Sequence, residues 1–263
     1  MIEFKHIENS KITVLETFGH NGVDWLHSLL DCHHQLLIIP AFSFFRTINV
    51  LLTKLNETSI EELNNSKISN TLSDMFLNDP SYQYQRRKFI FSKDEGIKFE
   101  SFLFKYLQNS KITPKNKCIF FGIHYAFAKI KDIDLSQVKS IVAHEHVPWY
   151  SEKYEVNFDV KFIFMMRDPR AAIAGSWLRQ KVGEGSSKKW LKNSANSEYS
   201  KILSAYRFDM TLYFWRYSEF FVNKNHKDFA SCMVVKNEDM HSNLILEMKK
   251  IYISFKILKK IKK

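Results

Sequence analysis

The feature that most constrains this chain is a change of period. Ile12 to Phe18 (ITVLETF) is an apolar run rich in β-branched side chains, the composition of a buried strand. It stops at the turn Gly19-His20-Asn21-Gly22, and the next residues, VDWLHSLLDCHH, place Trp25, Leu26, Leu29 and Leu30 at helical spacing. A strand, a short glycine-bearing turn and a helix make an opening βα unit, and a chain that begins this way needs further strands to pair with the first. Apolar runs at Cys118 to Gly122, Val138 to Ala143, Val160 to Met166 and Ser231 to Val235 supply them, with helix-like segments between, including the amphipathic stretch from Tyr199 to Val222. Such alternation predicts an α/β fold: a parallel sheet joined by right-handed crossovers and flanked by helices. Ligands of such sheets bind where the strands' C-terminal ends open.

The expectation is one domain over residues 1–263. Seven glycines and five prolines in 263 residues leave no room for a long flexible linker, and no repeat is visible. With 45% hydrophobic and 25% charged residues the composition is globular, which excludes disordered, collagenous and disulfide-rich classes. A mostly helical stretch, residues 42–112, reads as an insertion beside the sheet. Three scattered cysteines show no metal spacing and no even disulfide count. The first ten residues contain acids and no apolar core of a secretory signal, and the longest apolar stretch, Leu36 to Phe45, is broken by Pro40 and far shorter than the roughly 20 residues of a membrane span. A cytoplasmic protein without a transmembrane segment is expected.

Net charge is +11, but seven of those charges are lysines of residues 249–263, a segment without Asp or Glu, so residues 1–248 carry only +4. That partition argues against a nucleic-acid binder, which spreads Lys and Arg over a folded face. It leaves a basic C-terminal tail for which weak contact with a membrane surface is the expectation.

Three motifs carry chemistry. The Gly19–Trp25 turn feeds a helix N-terminus, whose amide groups and dipole favour phosphate; without a GK[ST] ending it does not read as an ATPase or GTPase loop. Arg167-Asp168-Pro169 follows the VKFIFM run, with Asp168 suited to an N-cap, Pro169 to a first helical turn, and Arg167 placed at a strand end where a guanidinium grips phosphate. His144-Glu145-His146-Val147-Pro148 closes another apolar run; its two histidines could pair on a metal, but no third ligand is spaced for one, and a histidine at a strand mouth serves as a general base.

These motifs, in this order, resemble those of the sulfotransferase superfamily, closest to its bacterial and carbohydrate-directed members. The family's PKSGTTW loop is similar to HNGVDW (His20 to Trp25), its K-T-H-L-P to HEHVP (His144 to Pro148), its Arg-Asn/Asp-Pro with a following helical Ser to Arg167 through Ser176, and its Y-E-D-L/M to Asn237-Glu-Asp-Met240. The resemblance spans residues 12 to 243 and implies a P-loop-like sheet with a helical acceptor-side segment. It also implies transfer of a sulfuryl group from 3′-phosphoadenosine 5′-phosphosulfate (PAPS) to an acceptor hydroxyl, first of all a sugar's, leaving adenosine 3′,5′-bisphosphate, with no metal. On this reading His146 is the catalytic base, helped by His144 and His20. The donor is held by His20, Asn21, Gly22, Val23, Asp24 and Trp25, with Trp25 on adenine, and by Arg167 and Ser176 on the 3′-phosphate.

The sequence departs from the family pattern in places: His20 and His144 replace its lysines, Val23 and Asp24 its hydroxyl residues, and Gly175 stands where its serine falls, one position before Ser176. Its C-terminal nucleotide-closing loop has the lysine tail in its place. The alternative is therefore a non-catalytic or truncated sulfotransferase-like domain that binds a nucleotide or anionic glycan. Other conspicuous residues read structurally: His33 and His34 as helix-end residues, Arg86 to Lys88 as a solvated face, His124 and Tyr125 as core-edge residues.

Overall fold

A computed structural model describes residues 2–17, 22–31, 33–39, 44–45, 92–145, 153–154, 157–172 and 232–256. The elements in chain order are α1 (Ile2–Glu8), β1 (Lys11–Glu16), α2 (Val23–Leu30), β2 (Leu36–Ile38), α3 (Lys93–Asn109), α4 (Lys115–Ile130), β3 (Ser140–Glu145), β4 (Val160–Met166), β5 (Cys232–Lys236), α5 (Asn237–Ser242) and α6 (Leu244–Ser254). The strands form one five-stranded parallel sheet in the order β2-β3-β1-β4-β5. Leu36 pairs with Ser140 on one side, and Phe162 with Cys232 on the other. From Ile12 to Glu16 every residue of β1 is buried, as are all six of β3; an all-parallel sheet hides both faces, so burial does not alternate along its strands, and Thr13, Glu16, Ser140, His144 and Glu145 are buried with the apolar residues.

The chain divides into two compact units, Met1–Val14 with His27–His144 and Glu152–Val160, and Leu15–Leu26 with Glu145–Ser151 and Lys161–Lys263. In the first, α3 and α4 pack on one another. Ser92 starts α3 with a reciprocal capping box, its hydroxyl accepting from Glu95 N while the Glu95 carboxylate accepts from Ser92 N. Gly122 lets the two helices meet, since a Cβ there would lie 2.9 Å from Leu103 Cδ1 and 3.0 Å from Tyr106 Cδ1. Phe44, Phe45, Phe120, Tyr154 and Phe158 form an edge-to-face aromatic cluster in the same unit. In the second unit β4 pairs with β5, which leads directly into α5 and α6, and α6 buries Ile251 with Phe255 just beyond its end.

Two expectations change. Cys118 to Gly122 is not a strand but the middle of α4, whose sixteen residues include a fully buried run from Cys118 to Ala128. A helix buried all round shows no polar stripe, so a five-residue window of it cannot be told from a buried strand. The strand missing from the sequence reading is β2, three residues inside the Leu36–Phe45 apolar stretch. Of the 42–112 insertion, the described part is helical from residue 93; Tyr199 to Val222 and Arg86 to Lys88 lie outside the described residues. Lys249 and Lys250 belong to α6, so the basic tail begins within a helix.

Candidate functional site

In the second unit the C-terminal ends of the strands are tied together around Thr17. Its backbone N donates to Glu145 O at the end of β3 (3.1 Å), and its buried hydroxyl donates to Met165 O near the end of β4 (3.2 Å). Beyond the turn, Gly22 O accepts from Trp25 N (3.0 Å) and Leu26 N (3.1 Å), so Gly22 closes the N-terminus of α2 and the amides of Val23 and Asp24 precede the first intrahelical bonds. Gly22 is in the left-handed region (φ 91°), and a Cβ on it would collide with Asn237 Nδ2 and lie 3.5 Å from the Met165 methyl. Conformation and space therefore both demand glycine, and Gly22 is seated against Met165 of β4 and Asn237 just after β5.

Arg167 follows β4 directly and is half-buried. Asp168 caps the helical residues 169–172 as expected: Ala172 N donates to its carbonyl (3.0 Å) and Arg170 N to its Oδ1 (2.8 Å). The Arg170 guanidinium beside it holds the Asp168 carboxyl down at about 2, so it stays ionised and adds negative charge next to Arg167. Asp168 N in turn donates to Glu238 Oε1 (2.9 Å) from the first turn of α5. Trp25, half-exposed in the first turn of α2, stacks on His241 with ring centroids 4.6 Å apart and planes 21° apart. The amides at the start of α2, the Arg167 and Arg170 guanidiniums and the stacked Trp25 indole lie in the same unit as the carboxylates of Asp24, Asp168 and Glu238, so this unit offers an anion both attraction and repulsion.

His144 is buried in the first unit, its Nδ1 3.0 Å from Nδ1 of His27. A hydrogen bond between two ring nitrogens holds one proton, so one ring donates and the other accepts. The sequence reading missed His27. It assigned the apolar face of α2 to Trp25, Leu26, Leu29 and Leu30, whereas the helix buries Val23, Leu26, His27 and Leu30. The 3-4-7 spacing of those four was the available signal, masked because one of them is polar. Asn237 and His241 were equally unread, the first set against Gly22 and the second against Trp25. Of the expected site residues, Gly22, Val23, Asp24, Trp25 and Arg167 fall in the second unit and His144 in the first. His20, Asn21, His146, Gly175 and Ser176 lie outside the described residues.

His124, His33 and His34 have structural settings. His124 is buried within α4 with Nδ1 2.8 Å from Phe120 O. His33 and His34 stack between α2 and β2, and His33 Nδ1 accepts from Gln35 N. Tyr125 donates to Glu3 Oε2 (3.4 Å). Among the described residues no group of three or more His, Cys, Asp or Glu could hold a metal, and Cys118 and Cys232 are buried thiols outside any disulfide. A cavity of about 380 Å³ in the first unit, lined by Glu3, His6, Lys129, Asp132 and Asp134, contains none of the expected site residues. Compared with models of known protein families and with curated proteins, the chain finds no match.

Proposed function

We propose that this chain is a PAPS-dependent sulfotransferase acting on a hydroxyl, a carbohydrate's before a small alcohol's or phenol's. The observation that carries the reading is the seating of Gly22, at the start of α2, against Met165 and Asn237, in the same unit as Arg167, which follows β4 directly. The sheet order supports a P-loop-like arrangement: β1 is central, its connection leads toward one edge and that of β4 toward the other, and ligands of open α/β sheets occupy the crevice at such a divergence.

The donor supplies the sulfuryl group, and the fit of this chain to it is mixed. The N-terminus of α2 and Arg167 suit phosphate groups; Asp24, in the first turn of α2, opposes them. His241 occupies one face of Trp25, so an adenine adds to the opposite face or displaces the imidazole. In the reaction the acceptor oxygen bonds to sulfur while the bond from sulfur to the donor phosphate oxygen breaks and its electron pair leaves with the phosphate. His146 takes the acceptor proton. His20, when protonated, and the amides of residues 20–25 balance charge on the phosphosulfate side, and Arg167 with Ser176 hold the 3′-phosphate; His144, buried against His27 in the first unit, is not assigned that charge.

Asp24 favours a second reading, a sulfotransferase-like domain that binds a nucleotide or anionic glycan without turnover. Thermal melting with adenosine 3′,5′-bisphosphate and with adenosine 5′-phosphate tests both. Selective stabilisation by the bisphosphate is expected, and no shift with either ligand would overturn the nucleotide site. With binding present, sulfuryl transfer lost in His146→Ala supports the enzyme, whereas undiminished turnover would remove His146 from the base role.

A further inference from the structure

We infer that the outward face of α6 is a docking surface for an anionic lipid membrane. The helix turns Glu247, Ile251 and the following Phe255 inward. At about 100° per residue the opposite side is a continuous arc of Ile245, Leu246, Lys249, Lys250 and Ile253. All five are exposed, the three apolar side chains by 71%, 47% and 62% respectively. Single exposed aliphatic residues are ordinary on protein surfaces; three on one face of an eleven-residue helix, flanked by lysines, form a patch.

The patch is held firmly. Asn243 caps the start of α6 by accepting from Leu246 N, and Lys161 Nζ donates to Ser254 O at the end (3.1 Å), a cation on the negative pole of the helix. The one carboxylate of α6, Glu247, is buried and paired with Lys250. Outward, then, the helix shows aliphatic groups and positive charge only, and the sequence continues with Lys256, Lys259, Lys260, Lys262 and Lys263 and no further acid.

This chemistry selects among occupants. Nucleic acid would neutralise the lysines and gain nothing from three aliphatic side chains. A second copy docked about a two-fold axis would set lysines against lysines. An anionic bilayer surface satisfies both halves, taking the aliphatic groups below the headgroups and the lysines at their level. Among the described residues no helix is long and apolar enough to cross a membrane, and α6 would lie in the interface plane.

Co-sedimentation of the full chain with vesicles tests this. Phosphatidylcholine vesicles containing phosphatidylserine are expected to take the protein down, pure phosphatidylcholine much less, and added salt should weaken the binding. The variant Ile245→Ser, Leu246→Ser, Ile253→Ser, which alters only exposed side chains, should keep the melting temperature and lose binding by about tenfold or more; Lys249→Glu with Lys256→Glu should do the same. The proposal is overturned by absence of binding to serine-containing vesicles at low salt, or by a triple-serine variant that binds like the parent. It is equally overturned by a dimer in solution that the triple-serine variant dissolves while vesicles are ignored.

Discussion

His124 is buried away from bulk solvent. It is sealed in α4, its ring 4.3 Å from that of Phe120, and its Nδ1–H donates to Phe120 O. Burial pushes its pKa down to about 4 from an ordinary 6.5, the hydrogen bond recovering part of the loss. Between those two values the unfolded chain binds a proton that the folded chain refuses, so stability rises with pH through this window and is lost as pH falls from about 6.5 toward 4. The expected cost between pH 7 and 4.5 is about 2 kcal/mol. Denaturant unfolding of the parent and of His124→Gln across this range should show that increment only in the parent; equal slopes would place the proton elsewhere. The Asp168 carboxyl, held down by Arg170 from 3.8 to about 2, acts in the same direction, but its window lies below that of the histidine.

Helix packing is decided by whole faces, and Gly122 shows how. Alanine would gain up to about 1 kcal/mol of helix propensity, but its Cβ would press on Leu103 and on the ring of Tyr106, which is fully buried and anchored through its hydroxyl to Glu8 (2.8 Å). Overpacking of this kind costs about 1–3 kcal/mol, so Gly122→Ala should lower the melting temperature by a few degrees in a thermal scan, while a rise would mean that α3 yields freely. The same face explains what the sequence could and could not disclose. β1, β3, β4 and β5 were legible within one to two residues because each apolar run is short and bounded by turn residues. The run from Cys118 was not, because α4 is buried on every side and its true length is fixed by packing against α3. The site was legible where backbone geometry is written in residue type, as at Gly22 and at Asp168-Pro169. It was illegible where two distant polar groups meet, as His27 does His144, since no local period records a partner 117 positions away.

Across the whole molecule the net charge of +11 is unevenly placed, and the basic segment begins inside α6. Lys249 and Lys250 sit in α6 among residues the second unit needs: Ile251 is fully buried, Phe255 nearly so, and Ser254 O receives Lys161. Removing residues 257–263 takes away four lysines and none of these contacts, leaving +7. Removing residues 249–263 lowers the charge to +4 and also opens the core beneath α6. The shorter truncation should therefore melt with the full chain, while the longer one should melt roughly 10 °C lower, as loss of two large buried side chains requires. Identical melting of both truncations would mean that α6 adds nothing to the second unit. A drop in the shorter one would mean that residues 257–263 contribute to folding as well as charge.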